Sequence, residues 1–482
     1  MSPEADTSAS PPAAGRRLVV DRRILRVVFW LVGPLIAATL VSIVIELFFS
    51  HRPLPTILLN NSFGWGLRAA VGLVSEWVGL QWLLDDSWGP MLRALQYLHE
   101  AGASKLYETV FFAESTKFQY PPTSLLPLDL AGSVIQLTAA RLNILNSLVM
   151  LANAAAIAWL AWLVFARDAQ RGDAPALDQD HLDPRAMAAI AFAAVWLYYP
   201  VTRAFCLGQV QLWIDLAFSL ACIFWWTDRK LAAGITIALA SALKPQLGVL
   251  LLWALIWGQR DFTIGMIIAL IPIAGASLAL YGWHNHVTYL DVLSYISHHG
   301  ESYAGNQSFN GLVNRLLFNG SNLEWDAGSF APYNSYVFAA TLLASAFLML
   351  LPLVSAFLLR GRQPSIFDYG LAALCFIMAS PIAWEHHYGI MLPLFVVALR
   401  FAVDAEPGRL PRHTIALLTT AWLLTAGRYP AVNLLSSTLL NVFQSYVLFG
   451  GIIFLYLLRE AGSAVAQSCP VSSAKAGKLQ FP

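Results

Sequence analysis

Long apolar runs separated by short polar stretches recur along almost the whole chain. At about 20 residues per spanning helix, they predict membrane segments near 24–49, 139–166, 186–202, 206–226, 231–243, 246–258, 262–283, 335–359, 366–381, 387–400, 412–427 and 436–458. The runs at 231–243, 246–258, 366–381 and 387–400 are too short to cross alone. Each short pair flanks a charged motif, Lys244-Pro245 or Glu385-His386-His387. Broken helices are tolerated where they line a cavity inside the protein. The expected fold is all-α: a polytopic bundle of about 10–12 membrane segments with a long first loop at 50–138.

Orientation follows from the basic residues. With the N-terminus inside, most of the 29 Lys and Arg fall on cytoplasmic segments, although the outer loops are longer. The large outer loops are then 50–138 and 284–334. Arg16, Arg17, Arg22, Arg23 and Arg26 precede or open the first run. That run is longer than a signal-peptide core of about 7–15 residues, and no small-residue cleavage site follows it. It reads as a retained helix. Residues 1–23 and 460–482 read as disordered cytoplasmic tails around one membrane domain, 24–459. The protein is expected in the cell membrane, inner or plasma, as a multi-pass chain in contact with lipid.

Composition agrees with that class. Of the 482 residues, 58% are hydrophobic and 12% charged, against about 25% charged in soluble domains. The net charge of +1 gives no case for a nucleic-acid partner. Cys206, Cys222, Cys375 and Cys469 are scattered, without metal-type or disulfide spacing.

Ionisable groups at membrane depth are costly and normally face a working cavity. Glu385, His386 and His387 lie between two apolar runs. Their plainer reading is a polar network that orders a helix break. Lys244 interrupts another apolar stretch, and its ammonium needs an anion. Asp215 or a lipid phosphate could supply it. Arg203 stands at the outer end of a helix, followed by Gly208-Gln209. Arg203 reads as snorkelling or functional, and Gln209 and Asp215 as interhelical partners or site residues.

In the first loop, Asp85-Asp86 precede Trp88–Gly102, whose apolar residues have helical spacing and suit an interfacial helix. Asp86 then either caps that helix or acts as a general base at the membrane surface. Glu108 is a further carboxylate in this loop, and Tyr120-Pro121-Pro122 sets the return to the membrane. The second outer loop holds His284, His286, His298 and His299, then Asn306-Gln307-Ser308 and Arg315. The histidines lack zinc-type spacing, and no metal or cofactor is expected. Arg315 suits a phosphate through its planar fork, or a lipid headgroup.

In this order the motifs resemble glycosyltransferase family 87, integral membrane enzymes of the GT-C class that include polyprenyl-phosphate-mannose-dependent mannosyltransferases. The matching pieces are a long first loop with an Asp, Tyr120-Pro121-Pro122, Gly208-Gln209, Ala242-Leu243-Lys244-Pro245, Asn306-Gln307-Ser308 with Arg315, and Ser380-Pro381 through Trp384 to His386-His387. They spread over about residues 25–455. Asp85-Asp86-Ser87-Trp88 departs from the usual Asp-then-Tyr spacing, and Glu385 stands where Asp is common. The resemblance implies a GT-C-type helical bundle and a polyprenyl-phosphate sugar donor, with mannose as the expected sugar. It further implies inverting transfer on the outer face. The acceptor is expected to be a glycolipid or envelope glycan. On this basis Asp86, or Asp85, is the expected base, with His386 beside it. Lys244, Arg315, His387 and Gln209 are expected at the donor phosphate. Glu108, Tyr120, Arg203, Asn306, Gln307 and Glu385 are further cavity candidates. The alternative is a transporter or flippase of a lipid-linked sugar, which needs no base.

Overall fold

The computed structural model describes residues 22–100, 104–166, 182–404 and 413–468. Among these the regular structure is helical, with no strand and one isolated bridge between Asn306 and Trp384. Among the described residues six helices are long and apolar enough to cross a membrane: Ile24–Phe49, Ala139–Ala166, Arg260–His299, Ser335–Leu358, Glu385–Val403 and Leu439–Gln467. Pro184–Leu197 and Tyr199–Cys206, bent by 55°, make a seventh if taken as one span. Gln211–Trp226, Lys230–Leu243, Pro245–Trp257, Ile366–Met378 and Thr414–Ala426 are shorter apolar helices. The long helices turn rows of large apolar side chains outward, such as Phe29, Phe48, Ile271, Leu343 and Phe347. In water such rows would be strongly unfavourable, and a bilayer covers them. The chain is a polytopic helical membrane protein.

Two expected breaks are present. The helix Lys230–Leu243 ends at Lys244, which is extended (φ −136°, ψ 105°). Pro245 has no N–H to continue it, and a 3₁₀ turn leads into Leu250–Trp257. The second break is the 3₁₀ turn Glu385–Ile390 between Ile366–Met378 and Met391–Asp404. Helices Lys230–Leu243 and Arg260–His299 touch backbone to backbone. A Cβ on Gly234 would lie 2.1 Å from Phe262 O, and one on Gly265 2.1 Å from Leu231 O. Small residues permit this approach where lipid supplies no hydrophobic drive.

Several elements differ from the expectation. The helix expected to stop at 283 kinks at Gly282 (φ 76°) and runs on to His299. Hydropathy drops after the kink, so the pattern hid the second half. The helix Trp88–Leu98 forms, but Trp88, Met91, Ala94 and Leu95 are buried in the protein and do not lie on a membrane surface. Trp88 Nε1 donates to Asn143 Oδ1 at 2.9 Å and anchors it. The last helix, Tyr446–Ser468, continues into the stretch read as a tail from 460. Residues 1–21 and 469–482 of the expected tails, including Cys469, lie outside the described residues. Cys206, Cys222 and Cys375 are free and buried.

Candidate active site

The two helix breaks, the first loop and the second loop converge on one cavity of about 1010 Å³. Its polar lining includes Asp85, Asp86, Lys117, Tyr120, Arg203 and Gln209. Lys244, Glu385, His386 and His387 face the same space. Leu243, Val249, Leu293, Ile296 and Met349 form an apolar part of the wall.

Asp86 is placed by backbone pairing. Leu84 N, Asp86 N and Ser87 N donate to the carbonyls of Cys206, Leu207 and Gly208 at 3.0, 3.0 and 3.4 Å. Gly208 makes this approach possible: its φ is +65°, and a Cβ there would sit 2.0 Å from Leu84 O. Gly208→Ala should therefore push the Asp86 loop off its support at a cost of about 1–3 kcal/mol. The expected outcome is a lower melting temperature together with a loss of transfer activity, measured on the purified protein.

Asp86 does not cap the helix that follows. Ser87 holds that position and makes no side-chain cap bond. The Asp86 carboxylate instead accepts from Gln209 Nε2. Gln209 Oε1 accepts from Ser87 Oγ at 2.6 Å and from the Tyr120 hydroxyl at 3.4 Å. Burial pushes the Asp86 carboxyl above the ordinary carboxylate range, while the Gln209 bond and the nearby Arg203 charge pull the other way. A carboxylate raised by burial but kept hydrogen-bonded is suited to accept a proton.

Opposite it, Arg203 Nε meets Glu385 Oε2 at 3.0 Å. The same oxygen accepts from Tyr199 OH at 2.8 Å and lies 3.8 Å from Arg428 Nη1. The Arg203 guanidinium carbon also lies 5.0 Å from the Trp65 ring centre and 5.9 Å from that of Tyr199, and the side chain lines the cavity.

Lys244 Nζ donates to Gln211 Oε1 at 2.6 Å, and Gln211 Nε2 donates to Asp215 Oδ1 at 2.8 Å. Asp215 thus reaches Lys244 through an amide, and among the described residues its buried Oδ2 lacks a hydrogen-bond partner. Gly389 lets this carboxylate pack against the second break, since a Cβ there would lie 2.2 Å from Asp215 Oδ2. His387 Nδ1 accepts from Trp384 N at 3.2 Å, with the His386 ring edge-on to it at 4.8 Å.

Four expected site residues lie elsewhere. Arg315 is fully buried and does not line the cavity. Its guanidinium donates to the carbonyls of Tyr303 and Asn306 at 3.2 and 2.9 Å and to Ser445 Oγ at 2.6 Å. Asn306 and Gln307 are also buried. Asn306 bridges Glu301 O, Pro381 O and Ala383 N. Gln307 ties Ala304 O and Gln444 O to Val447 N and Leu448 N. Asn306 thus holds the second loop against the Ser380–Glu385 turn, while Gln307 and Arg315 tie it to residues 444–448. Glu108 is off the cavity and 2.6 Å from His284 Nε2. The charged groups that pattern reading passed over are Lys117 and Arg428. Lys117 pairs with Glu301 Oε2 at 3.1 Å and lies 5.0 Å from the Trp325 ring centre. Its only signal was a lone cation before Phe118-Gln119-Tyr120.

Residues 118–381, more than half of the chain, match the family model described as glycosyltransferase family 87. The chain belongs to glycosyltransferase family 87. This family 87 protein is accordingly a membrane glycosyltransferase, with a sugar donor and an acceptor as substrates. The matched span holds Tyr120, Arg203, Gln209 and Lys244. It is shorter than the expected 25–455 and leaves out Asp85-Asp86 and Glu385-His386-His387. No curated protein matches the chain.

Proposed function

We propose that this enzyme transfers mannose from a polyprenyl-phosphate donor to a hydroxyl of a glycolipid or envelope glycan on the outer face of the membrane, with inversion. The observation that carries the reading is the pairing, across one cavity, of a hydrogen-bonded carboxylate and two cations, next to an apolar wall. Asp86 takes the acceptor's proton, with Gln209 fixing the carboxylate. The freed oxygen attacks the anomeric carbon from the face opposite the phosphate. The C1–O bond breaks and its electron pair leaves with polyprenyl phosphate. Lys244 and Arg203 hold that phosphate and offset the charge that develops on it. His386 and His387 flank it. The apolar wall at Leu243, Val249 and Met349 suits the prenyl chain, which needs no polar partner.

Radiolabelled mannose on polyprenyl phosphate is expected to pass covalently to acceptor in detergent, with purified protein. Movement of the intact lipid-linked sugar between leaflets without covalent transfer would support the transporter reading instead. Sidedness is tested separately in cells, with Cys469 replaced by Ser. An introduced thiol at exposed Ser321 should react with an impermeant reagent, and one at exposed Gly361 should not. The reverse pattern would place the site on the cytoplasmic side, where nucleotide sugars are available.

A further inference from the structure

A second cavity, of about 460 Å³, lies on the back of a helix that walls the first. Asp291, Ser294, Tyr295 and His298 line it, at the i, i+3, i+4 and i+7 positions of one helix face. Leu293, Ile296 and Ser297 of the same turns line the large cavity. One helix thickness, about 10–12 Å, therefore separates the two. Phe112, His299 and Tyr333 complete the walls.

The Ser294, Tyr295 and Tyr333 hydroxyls can donate or accept, and the imidazoles and the Asp291 carboxylate add acceptors. His298 Nδ1 donates to Ser294 O at 2.7 Å, and His299 Nδ1 donates to Ala331 O at 3.0 Å. A carbonyl only accepts, so each neutral ring carries its proton on Nδ1 and offers a lone pair at Nε2. Among the described residues neither Nε2 nor the Asp291 carboxylate has a partner. The rings are fixed by stacking, His298 on Phe338 at 4.4 Å and His299 on Tyr295 at 4.3 Å. Among the described residues the walls contain no Lys or Arg to hold a phosphate and no aliphatic side chain to hold an acyl chain. No group of three metal-ligating side chains converges among the described residues.

Aromatic rings beside groups that donate and accept fit a ring that has an apolar face and many hydroxyls. We propose that this cavity is a subsite for a neutral sugar residue of the acceptor. The acceptor is then an oligosaccharide chain that reaches around the helix from the transfer centre, and not a lone headgroup. An aromatic path joins the two places: Phe330 lies 5.6 Å from Tyr295 and 4.3 Å from Lys117 Nζ, and Lys117 lines the large cavity. The inference rests on the glycosyltransferase reading and adds the class of acceptor.

The test is binding, read apart from transfer. The full chain in lipid nanodiscs is titrated with manno-, galacto- and gluco-trisaccharides, followed by saturation-transfer NMR. At least one trisaccharide should bind. Asp291→Asn and Tyr333→Ala, both at exposed positions, should each weaken it at least about tenfold. Asp228→Asn, an exposed change on the lining of neither cavity, should leave it unchanged. The subsite is overturned if no trisaccharide binds, if binding survives both substitutions, or if inorganic phosphate displaces the sugar. Transfer of label is measured on the same preparation. Transfer without trisaccharide binding removes the subsite alone, whereas trisaccharide binding without transfer from the polyprenyl donor removes the donor assignment.

Discussion

Asp86→Asn is expected to abolish turnover and to leave donor binding intact. Asn keeps the shape and the oxygen that accepts from Gln209 Nε2, so the Leu84–Ser87 pairing with Cys206–Gly208 is undisturbed. What is lost is the ability to take a proton, worth roughly 10²–10⁴-fold in rate. Asp85→Asn and Glu108→Gln serve as controls. Asp85 is exposed beside the same cavity, and Glu108 faces His284 away from it. If Asp86→Asn turns over normally while Asp85→Asn is dead, the base is the neighbouring carboxylate. The pH profile gives a second readout. Burial holds the Asp86 carboxyl protonated to higher pH than an ordinary Asp, whose pKa is about 3.9. The working form is ionised, so kcat/KM should climb with pH through a value above the ordinary range. Gln209→Leu removes a bond that favours the carboxylate and should move that limb further up. A limb that stays in place would separate Asp86 from the titration.

The parts of this fold that were legible in the sequence are those that long-period hydropathy controls. Ala139–Ala166 matches the predicted run end for end, and the breaks at Lys244 and Glu385 fall where charge and Pro interrupt it. Periodicity fails once a helix leaves the apolar pattern, which is why the stretch from Gly282 to His299 read as loop. The site was legible in its residue types but not in the direction each side chain takes. Arg315 and Lys244 both look like cations in need of an anion. Arg315 spends its donors on backbone carbonyls, whereas Lys244 takes an amide oxygen at the cavity wall. Only the chain path decides between them. Likewise nothing in the local sequence of Arg203 names Glu385 as its partner, because the contact is made by two helix ends far apart in the chain.

Glu385→Gln should be the most destabilising single change at this site. Glu385 Oε2 is the oxygen shared by Arg203 Nε, Tyr199 OH and Arg428 Nη1. The Glu385, Arg203 and Arg428 side chains are only 7%, 13% and 14% exposed. Gln removes the negative charge and strands two guanidinium groups in a poorly solvated region. Breaking a buried pair from one side costs about 3–5 kcal/mol. Arg203→Met removes one cation and leaves Glu385 with Arg428, so its loss of stability should be smaller. Combining Glu385→Gln with Arg203→Met should recover part of the deficit, because one stranded cation goes with the carboxylate. The measurement is the fraction of monodisperse protein left after heating, compared across the three variants. Activity separates the roles further. Arg203→Met stays folded but should raise the donor KM, since one cation of the proposed phosphate site is gone. If Glu385→Gln is as stable as the parent, the carboxylate is not the counter-ion that holds Arg203.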